Sequence, residues 1–230
     1  MGDFNQYLWV KKNHEMVEGP VLEIGSKFYD EETSVDYRSL FSQLEYIGSD
    51  REAGANVDVQ IDIIGDIEIL KNAFGYQSFK TIICCSVLEH IDDIFQASRN
   101  ISELVGKGGV LFISVPFVWE EHGYPSDYWR FTPEAVKFLF KDFEFDNHRS
   151  TISSNISEDM VGMENGLNNF IRPNYMNTAY ANESNWIIRK LKRGIKLLTD
   201  SKFRYQYVLG NWGRGNEFKK ACINMIGIKK

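Results

Sequence analysis

Cysteine is scarce in this sequence: Cys84, Cys85 and Cys222 are all that 230 residues contain. An odd set without metal-ligand spacing argues against a disulfide framework and predicts small buried thiols in a reducing cytoplasm. Adjacent Cys84 and Cys85 on a strand point to opposite faces, so they do not readily share a metal. Long apolar runs are missing too, and none reaches the ~20 residues that span a bilayer. The opening Met1-Gly2-Asp3-Phe4-Asn5-Gln6 lacks the basic-then-apolar order of a secretory signal, so a cytoplasmic location is expected. Basic residues are outnumbered, and a formal net charge of −6 argues against general affinity for nucleic acid.

What is present fits a soluble α/β protein, with 43% hydrophobic and 25% charged residues. The length suits one domain with a full core, or one domain with an elaboration. From Val21 to Phe145, short β-rich runs alternate with helical patterns. Val21–Gly25 reads as a strand, followed by a helix near Ser34–Ser42, a strand over Leu44–Asp50 and another over Val57–Ile63. Ile67–Phe74 has helical spacing, and the apolar run Thr81–Val87 suits a strand buried on both faces. A helix from Asp92 to Leu104 begins with acids that suit its dipole, and Gly106-Lys107-Gly108-Gly109 ends that unit. Val110–Val115 is a further buried strand, and Pro133–Lys141 a helix with Thr132 as its cap. Such alternation implies a mostly parallel sheet with helices on both faces. Glu144–Ser153 and Ala221–Ile228 read as two last strands separated by a long insertion, and no internal repeat is visible.

Open parallel sheets bind ligands at the carboxyl ends of their strands. Glu23, Asp50, Asp62 and Ser86-Val87-Leu88-Glu89-His90 all fall at or just beyond such ends. An acid closing the second strand can accept both hydroxyls of a ribose, each bond contributing about 1.5–3 kcal/mol. Asp50 is therefore the expected ribose ligand, and Asp62 is placed for an adenine amino group. Glycine is again scarce where it is wanted: Gly25 is followed by Ser26 and Lys27 rather than by further glycines. A dinucleotide pyrophosphate needs those glycines.

The order Leu22-Glu23-Ile24-Gly25, Asp50, Asp62, Cys85-Ser86-Val87-Leu88-Glu89-His90 and Gly108-Gly109-Val110-Leu111 resembles a class I S-adenosylmethionine-dependent methyltransferase. Within that family it looks most like the small-molecule subgroup with the Leu-Glu-His signature. His122-Gly123-Tyr124-Pro125-Ser126-Asp127-Tyr128-Trp129-Arg130-Phe131-Thr132 resembles a segment of methyltransferase-like proteins of polysaccharide and glycoconjugate biosynthesis. The similarity covers roughly residues 20–145. It implies a Rossmann-like, seven-stranded, mostly parallel sheet whose last strand is antiparallel, with the long insertion before it. It implies S-adenosyl-L-methionine as cofactor, which has no phosphate and so demands less of the turn. Glu23 and Gly25 would lie by its methionine part, Asp50 on the ribose and Asp62 at the adenine, with Ser26, Arg51 and Ile63 among the cofactor contacts. Ser86 and Glu89 would flank it. The chain divides accordingly into an N-terminal cover (1–19), a core (20–153), an insertion (154–218) and a returning strand (219–230).

For the chemistry, the loop Pro116–Phe131 offers His122 as general base and Asp127 as its orienter or as the alternative base. A positioned base contributes about 10²–10⁴-fold. His90, Tyr124, Tyr128, Trp129 and Arg130 are the expected acceptor contacts, Arg130 suiting an anionic group and the aromatics a sugar ring. An equally open reading has Asp127 and Arg130 bracing the loop while Tyr128, Trp129 and Phe131 fill core. No carboxylate or histidine cluster for a metal is evident. Trp186–Leu198 is a basic amphipathic pattern that suits a membrane surface, a second copy of the chain or plain packing. The expected function is O-methylation of a sugar in a glycan or its precursor. The alternatives are another small acceptor such as a lipid or quinone, or a catalytically inactive scaffold of the same fold.

Overall fold

A computed structural model of the chain describes residues 3–29, 34–123, 126–165 and 220–230. Tyr124, the basic pattern Trp186–Leu198 and most of the expected insertion lie outside these residues. Helix α1 (Phe4–Lys12) begins with a reciprocal cap, Asp3 accepting from the Gln6 amide while the Gln6 side chain accepts from the Asp3 amide. Trp9 is wholly buried, its ring edge-on to Phe112 at 5.4 Å, and its indole N–H donates to Arg149 O at 2.8 Å. The N-terminal segment is thus built into the core.

Strand β1 (Val21–Ile24) is followed by a single 3₁₀ turn, Arg38–Phe41, where a helix over Ser34–Ser42 was expected. Then come β2 (Tyr46–Asp50) and β3, which shrinks to Val59–Gln60. The expected strand Val57–Ile63 is cut short where its two aspartates bond to backbone, one across to β2 and one locally. Asp58 accepts from the Gly48 amide at 2.8 Å, and Asp62 accepts from the Ile64 amide at 3.2 Å. Helix α2 (Ile67–Phe74) matches its spacing residue for residue.

Strand β4 (Phe79–Cys85) starts and stops two residues earlier than its apolar run, because Ser86 turns the chain at a positive φ of 54°. Helix α3 (Ile94–Leu104) is capped by Asp93. Its buried Asn100 donates to Ile63 O and Gly65 O, at 2.7 and 2.8 Å, and so fixes the segment after β3. Strand β5 (Val105–Val118) absorbs the glycine run that was expected to end the preceding unit, with an irregular register against β4 there. Helix α4 (Pro133–Leu139) has Thr132 as cap and proline in its first turn. It leads to β6 (Phe143–Ser154), the short β7 (Met160–Gly162) and β8 (Ala221–Lys229).

The sheet order is β3-β2-β1-β4-β5-β8-β6-β7. The pairings from β3 to β5 are all parallel; β8 enters between β5 and β6 and is antiparallel to both. The expected seven-stranded sheet with its reversed last strand is present, extended by the edge strand β7. Side chains alternate across it. One face carries Ile83, Cys85, Phe112 and Ile226, packed with Trp9, Val10, Tyr37 and Phe41. All three cysteines are buried and free, as expected. No helix among the described residues is long and apolar enough to cross a membrane.

Candidate active site

At the end of β1, Gly25 adopts φ +77°, a left-handed conformation natural to glycine, and the chain turns over β2. The Gly25 and Ser26 amides both donate to Ser49 O, at 2.8 and 3.0 Å. Ser26 is buried and latched to Asn56: its hydroxyl donates to Asn56 O at 2.9 Å, and Asn56 Nδ2 donates back to Ser26 O at 3.0 Å. Glu23, also buried, accepts from the Tyr46 hydroxyl at 2.8 Å and from Asn56 Nδ2 at 3.2 Å. Burial raises the Glu23 carboxyl. Lys27, which follows the turn, pairs with Glu52 at 2.6 Å and lies over the Tyr29 ring.

Asp50 closes β2 with only 7% of its surface exposed. Its Oδ2 accepts from the Lys27 amide (3.3 Å) and its Oδ1 from the Glu52 amide (3.0 Å). A carboxylate has about four lone-pair sites, so acceptor capacity is left at the sheet edge. Arg51 and Asp62 are exposed beside it, and Ile63 is buried beneath.

At the end of β4 the sequence reading missed a partner. Gln6, from α1, donates to the Ser86 hydroxyl at 2.9 Å and to the Ser114 hydroxyl at 2.8 Å. Ser114 in turn donates to Asn224 Oδ1 at 2.6 Å, and Asn224 Nδ2 donates to Thr151 and Ser153. The Asp3–Gln6 spacing signals a helix start. Nothing local says that Gln6 reaches Ser86 just after β4 and Ser114 within β5.

Leu88–His90 form one 3₁₀ turn after Ser86, and the loop after β5 is clamped onto it. The Tyr128 amide donates to Glu89 O (2.8 Å) and the Trp129 indole to Ile91 O (2.8 Å). His90 Nδ1 lies 2.7 Å from Ser126 O. A carbonyl there can only accept, so the proton sits on Nδ1 and Nε2 keeps its lone pair. Burial lowers the His90 pKa, which keeps the ring neutral. Glu89 is 1% exposed; burial pushes its carboxyl up to about 7, and its Oε2 has no hydrogen-bond partner.

His122 and Asp127 are brought together as expected. Asp127 Oδ2 is 3.1 Å from His122 Nδ1 and accepts from the His122 amide at 2.9 Å. Arg130 grips the same carboxylate through both oxygens, at 2.5 and 2.7 Å, and holds its pKa down to about 2. The guanidinium also donates to Trp119 O, Glu120 O and Trp129 O. All five of its N–H groups are then engaged within the loop. Arg130 thus braces the loop, the arrangement that the sequence left open beside an acceptor contact. Tyr128 and Trp129 are 51% and 36% exposed, so neither fills core.

No family model and no curated protein matches the sequence. Solved structures do match the fold. A SAM-dependent methyltransferase from Archaeoglobus fulgidus aligns at 17% identity over 97% of this chain and 92% of its own, with a TM-score of 0.50. The YcgJ protein from Bacillus subtilis aligns at 15% identity over 98% of each chain, with a TM-score of 0.51. A 1,6-didemethyltoxoflavin-N1-methyltransferase from Burkholderia thailandensis, solved with S-adenosylhomocysteine, aligns at 10% identity over 99% of this chain and 77% of its own (TM-score 0.51). The described residues have the Rossmann-like fold of these structures, two of which are methyltransferases.

Proposed function

We propose that this protein is an S-adenosylmethionine-dependent methyltransferase that methylates oxygen on a sugar of a glycan or glycan precursor. One observation carries the cofactor assignment. The parallel half of the sheet ends in a left-handed Gly25 turn beside a buried carboxylate, Asp50, which retains acceptor capacity. Asp50 would take the ribose hydroxyls, and Asp62 and Ile63 the adenine. Gly25 and Ser26 would border the methionine part, with Ser86 and Glu89 on the far side. The cofactor supplies a methyl group already activated on a sulfonium, so the protein's task is to align the acceptor, an effect worth about 7–11 kcal/mol at best.

The acceptor assignment rests on the loop after β5. Tyr128 and Trp129 offer exposed rings to a sugar's C–H faces. His122, oriented by Asp127 through Nδ1, keeps Nε2 as a base for a hydroxyl proton. Calorimetric titration with S-adenosylhomocysteine tests the cofactor, and absence of heat at millimolar ligand would refute it. Mass spectrometry of products formed from nucleotide sugars and oligosaccharides tests the acceptor; methyl transfer only to a non-sugar small molecule would replace it.

A further inference from the structure

Two neighbours in sequence, Glu89 and His90, meet the distant His122 beside this site. Ligand atoms of Glu89, His90 and His122 all lie within 4.8 Å of one another. The rings of His90 and His122 stand edge to face at 5.0 Å, and His90 Nε2 is 4.0 Å from Glu89 Oε1. Three donors on one tetrahedral ion at about 2.1 Å each stand about 3.4 Å from one another, so closure of under about 1.5 Å completes the set. We propose that Glu89, His90 and His122 bind a divalent first-row transition-metal cation.

The arrangement around the three donors supports this. Each histidine has its Nδ1 fixed by an acceptor: Ser126 O for His90, Asp127 Oδ2 and Glu120 O for His122. Those partners place the proton on Nδ1 and leave Nε2 as the lone-pair nitrogen. Outer partners of this kind orient metal-bound imidazoles, and a carboxylate behind one of them strengthens it as a ligand. The Glu89 carboxylate is buried with an unpartnered oxygen, a costly arrangement that a cation relieves. Two imidazoles and one carboxylate suit zinc, manganese or iron better than magnesium or calcium, which prefer all-oxygen shells. Three protein ligands also leave positions open. His122, 31% exposed in its side chain against 1% for Glu89, marks the open side.

This inference deepens the proposed function and rests on it for its role. Positions left open beside the part-exposed His122 would admit an acceptor oxygen to complete the coordination. The cation then holds the hydroxyl and acidifies it, its proton leaving to water. His122 in that state acts through the ion, whose bond uses the Nε2 lone pair that would otherwise take the proton.

The test is titration of tag-free, chelator-treated protein with Co²⁺, read by its visible absorption, together with S-adenosylhomocysteine calorimetry on the same protein. The expected result is one Co²⁺ per chain with bands of low-symmetry nitrogen–oxygen coordination, and affinity lowered at least tenfold in His122→Ala and in Glu89→Gln. His122 is on a surface loop, so its variant keeps the test open if Glu89→Gln misfolds. Absence of saturable binding overturns the site, as does binding that survives both substitutions. Adenosylhomocysteine binding without Co²⁺ binding removes the metal and leaves the methyltransferase. Co²⁺ binding without adenosylhomocysteine binding does the reverse.

Discussion

The imidazoles of His90 and His122 stand 5.0 Å apart, centroid to centroid, although one ends a turn after β4 and the other lies in the loop after β5. Asp127 fixes His122, and Arg130 fixes Asp127, so the pairing depends on a residue that touches neither ring.

Arg130→Ala should therefore loosen the loop and cost about 1–3 kcal/mol, the range for hydrogen bonds to charged groups left unmade. Urea unfolding measures the loss, and proteolysis between Trp119 and Phe131 should quicken. Arg130→Lys should recover little, because one ammonium cannot replace a five-donor fork. A lysine variant as stable as the parent would contradict the brace.

Glu23 gives a pH dependence of definite sign. Burial raises its carboxyl above the value in the unfolded chain. The stability contributed by its neutral form is complete below the unfolded value of 4.5 and drains away as pH rises through the folded value. Glu23→Gln removes that loss. Its stability relative to the parent should rise as the pH is raised above about 4.5 in denaturant titrations. A difference independent of pH would count against the buried carboxyl.

Gly25→Ala places a Cβ on a residue at φ +77°, which costs about 1–2 kcal/mol. Thermal melting should show the loss, and calorimetry should show weaker adenosylhomocysteine binding.

Gly48→Ala should be more damaging. A Cβ there would lie 2.2 Å from Asn56 O and 2.7 Å from Ser26 Oγ. The first of these is backbone, so the loop that latches Ser26 has to move. Overpacking of this kind costs about 1–3 kcal/mol or more, to be read from denaturant unfolding.

Asp50→Asn keeps the shape but loses the charge that the proposed ribose bonds need. Adenosylhomocysteine affinity should fall about 10–100-fold, from one or two bonds to a charged group. Affinity retained within about twofold would remove Asp50 from the site.

Much of the fold was legible because burial and local chemistry agree. The continuous apolar run at Thr81–Cys85, the Asp92–Leu104 pattern and the Thr132-Pro133 start each need only neighbours in sequence to declare themselves. The helix expected at Ser34–Ser42 and the full strand at Val57–Ile63 failed where aspartate side chains and tertiary packing outweighed propensity. Site legibility followed the same line. Glu23, Gly25 and Asp50 could be placed from strand ends alone. The roles of Gln6, Asn56 and Asn224 could not, since their partners lie on other elements.

The sequence by itself determined the parallel half of the sheet and the acids at its carboxyl edge, because strand period and turn chemistry act over a few residues. It also determined that His122 and Asp127 share a loop. Only the tertiary structure decided that Arg130 spends every donor on that loop and that Glu89 is buried with an oxygen unpaired. It alone brought His122 to that carboxylate and to the neighbouring His90. Contacts across strands β4 and β5 depend on register and burial, and these are properties of the packed sheet that no single segment carries.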